Sequence, residues 1–324
     1  MSTQTKKNFG AFGQQPNIVV VGAGAMGCYF GGMLTKAGHQ VTFVDVNPEQ
    51  IALINQRGVV LETDDGSYEM PARAALAKDV IQSADLVVLF TKTIHTIGAM
   101  ESIRHILTDK TVVLSLQNGL GNAERIGQFV NPDQIVVGTT LVPADLKGPG
   151  HVASHGPSSS HIMDSTLNNP EWLSDLSDMF NQAELTTNID PEIMTVIWSK
   201  VAFNAALNAI CSITGSSTGG LTPSPAFKEL AKQVVHETVR VGKANGVTLD
   251  ENYIWNNVEM AMREHPNHKP SMLQDIEAAR ATEVDAINGA IVEAACFAGL
   301  QAPVNQTLAQ LVRLSEQVAK NKKS

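Results

Sequence analysis

The chain has 324 residues, enough for two domains with substantial cores. It is 43% hydrophobic and 17% charged, the balance of a soluble globular protein, and its net charge of −9 argues against a nucleic-acid phosphate backbone as partner. Its three cysteines, Cys28, Cys211 and Cys296, are scattered, odd in number and without a CxxC pair, which points to reduced thiols in the cytoplasm, and no run reaches the roughly 18 apolar residues of a membrane span.

Residues 1–16 read as a mobile tail. Lys6 and Lys7 open it, but residues 9–16 are too short and too rich in Gly and Gln for a signal core. Residues 17–21 form an apolar β-branched run that feeds into Gly22-Ala23-Gly24-Ala25-Met26-Gly27. Residues 28–37 read as a helix closed by Gly38. Residues 41–44 form a second strand ending at Asp45. Strand, G-x-G-x-x-G, helix, strand, acid is the order that lets backbone N–H groups approach a pyrophosphate at a helix N-terminus. Asp45 lies 18 residues after Gly27, near the spacing of the acid that binds a ribose 2′-hydroxyl. A carboxylate there repels a 2′-phosphate, and Val46-Asn47-Pro48-Glu49 offers no compensating base. NADH is the better electrostatic fit.

Residues 48–57 read as a helix, 59–61 as a strand and 64–67 as a hairpin turn. Apolar runs at 85–90, 111–116 and 135–138 alternate with helical stretches near 97–107 and 123–129. That succession predicts a parallel sheet. Lys92 and Asn118 fall just past the carboxyl ends of strands, the edge along which open α/β sheets bind ligands. The bland alternatives are a surface lysine and a turn-forming Asn beside Gly119. Residues 148–160 are rich in Gly, Pro and Ser; His151, His155 and His161 lie in or beside them without the carboxylate or cysteine cluster of a metal site, and no metal is expected.

After Asp190-Pro191 the pattern changes to long helices, which places the domain boundary there: 17–189 as the dinucleotide-binding domain and 190–324 as a helical substrate and dimerisation domain. In the first helix Lys200, Asn204 and Asn208 recur every four residues among apolar neighbours. At about 100° per residue they drift only about 80° over two turns and share one face. They are either an exposed polar stripe or a row of groups facing a wet cleft, with Lys200 as proton donor. Helices follow at 228–245, 254–264, 271–299 and 306–319, and residues 320–324 read as a second tail. Ser271 follows Pro270 as a good N-cap. Glu283 and Asp285 either pair with Arg280 and solvent or turn one carboxylate toward Lys200.

Together these residues resemble the ketopantoate reductase (2-dehydropantoate 2-reductase) family, from about residue 17 to 319. The likeness rests on Gly22-x-Gly24-x-x-Gly27, Lys92, Asn118-Gly119-x-Gly121, the Lys200/Asn204/Asn208 spacing, and Ser271-Met272-x-Gln274-Asp275 followed by Thr282-Glu283-x-Asp285-x-x-Asn288-Gly289. It implies an N-terminal Rossmann domain and an all-α C-terminal domain of the 6-phosphogluconate dehydrogenase C-terminal-like kind. It implies a cytoplasmic homodimer that reduces 2-dehydropantoate to (R)-pantoate in vitamin B5 synthesis. Lys200 is then the catalytic proton donor with Glu283. Asn118, Asn204, Asn208 and Ser271 contact substrate. Gly22, Ala23, Gly24, Ala25, Met26, Gly27, Asp45, Lys92 and Asn118 serve the cofactor. Typical members use NADP(H) and carry a basic residue where this chain has Asp45. Relatives of similar sequence that are NAD-dependent D-2-hydroxyacid dehydrogenases supply the second reading, and a non-catalytic NAD(H) sensor is a third.

Overall fold

The computed structural model describes residues 12, 13 and 15–323. The chain divides into two compact units. One runs through Gln117 and resumes over Asn122–Ile193. The other comprises Asn118–Gly121 and the chain from Met194 onward.

The first unit is built on β1 (Ile18–Val21), α1 (Ala25–Lys36), β2 (Val41–Val44), α2 (Pro48–Arg57), β3 (Val59–Thr63), β4 (Gly66–Met70), β5 (Arg73–Ala75), β6 (Leu86–Leu89), α3 (Thr96–Ile103), β7 (Val112–Ser115), α4 (Asn122–Ile126), β8 (Ile135–Leu141), β9 (Ala144–Gly148), β10 (His151–Ser154), β11 (Ser159–Asp164), α5 (Glu171–Gln182) and β12 (Thr187–Ile189). Eight strands form one sheet in the order β12-β11-β8-β7-β6-β1-β2-β5. The pairs from β5 to β8 are parallel, and β11 joins β8 antiparallel. All four residues of β1, β6 and β7 are buried, as expected of parallel strands covered on both faces. The register pairs Val21 with Val44 and with Leu89, so Gly22, Asp45 and Phe90 leave the sheet side by side.

A second sheet, β4-β3-β10-β9, lies within the same unit. Residues 148–160 therefore contribute to two sheets despite their turn-rich composition. Their histidines meet carboxylates: His151 with Glu62 at 2.7 Å and His155 with Asp64 at 3.0 Å, while His161 meets Asp190 at 3.0 Å.

The second unit has α6 (Ile193–Thr214) at its centre, with α7 (Pro225–Ala244), α8 (Glu251–Glu264), α9 (Ser271–Glu277), α10 (Ala290–Phe297) and α11 (Pro303–Lys323). Trp198, Val201, Ala202, Ala205 and Ala209 of α6 pack in one cluster with Val234, Val258, Ile291 and Val312. By length and apolarity α6 could cross a bilayer, but 67% of its most apolar stretch is buried inside the protein. It is a core helix, apolar nearly all round.

The structure corrects the sequence reading in several places. Residues 271–299 are not one helix. The chain leaves α9 through Ala279 at φ 53°, runs through a π turn over Asp285–Gly289 and enters α10. Tertiary bonds outweigh the helical periodicity here. Arg280 Nε donates to Asp275 at 3.0 Å, and the Thr282 N–H donates to Glu316 at 2.7 Å. Ser271 is not an N-cap. Pro270, with ψ 151°, already sets the entry to α9, and Ser271 is its exposed first residue. Residues 320–323 are not a tail: they continue α11, and Lys323 Nζ donates to the Ala278 carbonyl at 2.7 Å. Cations in a last helical turn also interact favourably with the helix dipole. Of the expected N-terminal tail, residues 1–11 and 14 lie outside the described residues. Phe12, by contrast, is buried edge-on against Trp172, with ring centroids 6.4 Å apart.

One buried carboxylate ties the helical unit together. Glu237 of α7 accepts the Val304 N–H at 3.1 Å, the Asn305 N–H at 2.8 Å and Asn305 Nδ2 at 2.8 Å, thereby capping α11 from outside its own sequence. Glu237→Ala strands three donors in a site that is 5% exposed. It should cost about 2–4 kcal/mol in urea unfolding. A loss below about 0.5 kcal/mol, the range of ordinary surface changes, would show that the cap contributes little.

Candidate active site

The glycine loop forms where β1 turns into α1. Gly22 has φ +97°, and a Cβ there would lie 2.8 Å from the Phe90 carbonyl carbon. A Cβ on Gly27 would come within 1.8 Å of the Gly22 carbonyl oxygen. Over Gly24, the residue that opens α1, there is open space instead. A loop closed beneath and open above the helix N-terminus fits a pyrophosphate.

Asp45 is held beside this loop. Its two carboxylate oxygens accept the Ala23 N–H at 2.7 Å and the Asn47 N–H at 2.9 Å. The Ala23 carbonyl accepts from Cys28 Sγ at 3.1 Å and from Gln50 Nε2. Ala23 is thus fixed at both its N–H and its carbonyl. Burial, followed by the field of Asp45, pushes the Cys28 thiol up to about 12, so it serves as a weak donor and not as a nucleophile. Lys92, half-buried, stands just beyond β6 at the start of a 3₁₀ turn. The same rim is braced by Gln117, whose Nε2 donates to the Thr91 carbonyl at 2.6 Å and to Thr96 Oγ1 at 3.0 Å. Sequence reasoning did not single out Gln50 or Gln117. The available signal was weak: a buried amide in an amphipathic helix and another at the end of an apolar run.

In the helical unit α6 carries Lys200, Asn204 and Asn208. Asn204 and Asn208 are 8% and 6% exposed, and neither amide side chain has a hydrogen-bond partner among the described residues. Neither is sealed in the core, so these amides are placed to meet a ligand. Two of them in line with a lysine form a set of groups suited to a polar ligand. Lys200 keeps part of its surface open, yet burial pushes its ammonium down from 10.5 to about 8, with the Glu283 carboxylate pulling the other way. Glu283 in turn accepts Asn118 Nδ2 at 3.2 Å. The structure therefore links Asn118, Glu283 and Lys200. Of the two candidate carboxylates Glu283 is the one beside Lys200; Asp285 is engaged by Arg313 at 2.6 Å, and Arg280 by Asp275. Ser271 is exposed and makes no side-chain hydrogen bond among the described residues.

A cation near neutral pKa, a carboxylate beside it and adjacent unpaired amides can protonate an oxygen on which charge develops while holding an anionic substrate. Two family models match the chain: Ketopantoate reductase PanE/ApbA over residues 18–165, and Ketopantoate reductase PanE/ApbA C terminal over residues 192–316. A 2-dehydropantoate 2-reductase of Streptococcus pyogenes is 32% identical over 304 residues, covering 93% of this chain and 98% of the relative. That of Pyrococcus abyssi is 33% identical over 303 residues, covering 92% and 97%. Among solved structures, D-mandelate dehydrogenase with NADH and anilino(oxo)acetate superposes with a TM-score of 0.90 at 28% identity, covering 94% of this chain and 99% of the other. A PanE/ApbA family ketopantoate reductase from Ralstonia eutropha gives 0.86 at 29%, with the same coverage. Rossmann loop, helical unit and site residues converge with these matches: the chain belongs to the ketopantoate reductase family of nicotinamide-dependent oxidoreductases.

Proposed function

We propose that this chain reduces 2-dehydropantoate to (R)-pantoate with NADH, as a cytoplasmic homodimer with Lys200 as the proton donor. The observation that carries the reading is Lys200 itself: an ammonium with a pKa of about 8, opposed by Glu283, on a helix face with two buried, unpartnered amides. Bound nicotinamide supplies the hydride. Gly22, Ala23, Gly24, Ala25, Met26 and Gly27 hold its pyrophosphate, and Asp45 holds the adenine-side ribose. Lys92 and Asn118 serve the nicotinamide end. Asn204, Asn208 and Ser271 bind the carboxylate and hydroxyl of the keto acid. Lys200 meets the negative charge that grows on the carbonyl oxygen and delivers its proton there, while Glu283 keeps the ammonium charged and oriented. Three cysteines without a disulfide support a reducing compartment.

A second reading, an NAD-dependent D-2-hydroxyacid dehydrogenase, is favoured by Asp45 and by the likeness to D-mandelate dehydrogenase. Steady-state rates with 2-dehydropantoate, aryl and branched 2-keto acids, each with NADH and NADPH, separate the two. The highest kcat/KM on an aryl keto acid would favour the second.

Cofactor choice follows from charge. A 2′-phosphate would stand close to the Asp45 carboxylate, whose oxygens are already fixed by two backbone N–H groups. kcat/KM should be higher with NADH than with NADPH, and Asp45→Ala should narrow the gap. Equal or better efficiency with NADPH in the unmodified enzyme contradicts the assignment.

Substrate binding can be separated from cofactor binding at Asn208. Asn208→Ala should raise KM for the keto acid by about tenfold, the worth of one hydrogen bond to a charged group. The NADH dissociation constant should stay within about twofold of wild type. A parallel loss of NADH affinity would remove Asn208 from the substrate site.

The proton donor sets the pH profile. Lys200 is protonated below about 8 and loses its proton above it, so reductive kcat/KM should fall as pH rises through about 8. Lys200→Ala should abolish that limb and lower kcat about 10²–10⁴-fold. Single-turnover reduction by Lys200→Ala within threefold of wild type would exclude it as the acid and move the search to Lys92.

A further inference from the structure

The π turn at Asp285–Gly289 has no role in the chemistry above, yet it is held from every side. Its defining bond runs from the Gly289 N–H to the Val284 carbonyl at 2.9 Å. Asp285 is gripped by Arg313 of α11, and Thr282, just before the turn, by Glu316 of the same helix. Beneath it, Asn288 is fully buried and donates Nδ2 to the Ala205 carbonyl of α6 at 3.2 Å and to Asn305 Oδ1 at 3.0 Å. Ala205 directly follows Asn204.

The remaining side of the turn meets the loop Asn118–Gly121, which groups with the helical unit. The Leu120 N–H donates to the Ala286 carbonyl at 2.9 Å. Gly119, at φ +90°, lies so close that a Cβ would stand 2.4 Å from the same oxygen. Asn118 reaches Glu283. Three consecutive loop residues thus meet residues 283 and 286. A π turn takes carbonyls out of the regular helical ladder, and here the Ala286 carbonyl has an acceptor site for a loop amide.

We propose that the π turn and Gly119-Leu120 form a backbone latch that fixes the Asn118–Glu283 hydrogen bond, making Gly119 a positioning residue for the proton-donating pair. The proposal rests on the reading of Lys200 and Glu283 given above. Any side chain at Gly119 must push the loop off the turn, which strains the loop and turns Asn118 away from Glu283. Gly119 touches neither of the reacting groups, so its effect passes through Asn118.

The test is a double-mutant cycle in the full-length enzyme: Gly119→Ala, Asn118→Ala and both together. Gly119→Ala should lower kcat by about tenfold or more, as expected when a catalytic group is displaced by a fraction of an ångström. NADH affinity, read by fluorescence titration, should fall no further than it does for Asn118→Ala. The decisive quantity is the coupling. If Gly119 acts through Asn118, the double variant loses no more than the worse single one; if the two losses multiply, the latch is wrong. A wild-type kcat for Gly119→Ala overturns it too. Should Gly119→Ala fail to fold, hydrogen exchange at the Leu120 amide of the unmodified enzyme decides: strong protection supports the latch, and exchange at the open-chain rate refutes it. Lys200→Ala, run alongside, separates the two levels. Wild-type turnover there would sink the functional reading, whereas multiplying losses with an inactive Lys200→Ala would sink the latch alone.

Discussion

An ammonium inside a packed helical unit is the constraint on which the site depends. α6 is apolar because it is the core helix, and that same apolarity strips water from Lys200. Left alone, such a lysine would hold its proton still less tightly. Glu283 supplies the opposing charge, and the balance leaves Lys200 near 8. Neither effect suffices by itself. Burial without Glu283 weakens the ammonium further, and Glu283 without burial gives a lysine that holds its proton more tightly. A group poised close to ambient pH is what general acid catalysis calls for.

The dinucleotide end solves a different problem by similar means. A glycine loop is useful because its backbone is bare, but a bare loop is also loose. Here Ala23 is pinned on its N–H by Asp45 and on its carbonyl by Gln50 and Cys28. Asp45 is consequently a strut of the loop as well as the proposed ribose-binding acid. Replacing it disturbs loop order as well as charge, so a change in cofactor preference at this position is cleaner to read as a ratio between NADH and NADPH than as either affinity alone.

Much of this was legible in the sequence, and the pattern of what was not is physical. β2 and α2 run over the residues their apolar pattern marks, and the Lys200/Asn204/Asn208 stripe does share a helix, because these signals are local. Gln50 and Gln117 leave no local signature because an amide's value lies in what it reaches across the fold: Ala23 is 27 residues from Gln50, and Thr91 is 26 from Gln117. The ion pairs of Asp285 were equally hidden. Arg280 is the near neighbour in sequence, but it is taken by Asp275, and the partner is Arg313, 28 residues on. The four-stranded sheet is only half legible: the turn at 64–67 marks the β3–β4 hairpin, but β10 lies in a stretch whose Gly, Pro and Ser content mimics a loop.

The break in the expected 271–299 helix has a geometric reason once Glu283 is considered. Ile287, Ile291 and Ala295 recur at four-residue intervals and are all buried in the helical core. In an unbroken α-helix Glu283 would fall four residues before Ile287, on that same buried stripe. A carboxylate there would lie among aliphatic side chains with no charge to meet it, at a cost of several kcal/mol. Instead the chain leaves α9 before Glu283 and resumes helical turns only at Asp285, so Val284 joins the core while Glu283 meets Asn118 and Lys200. The helix gives up its regular ladder for one turn, and the bonds from Arg313, Glu316, Asn288 and Leu120 are what hold it in that less favourable form.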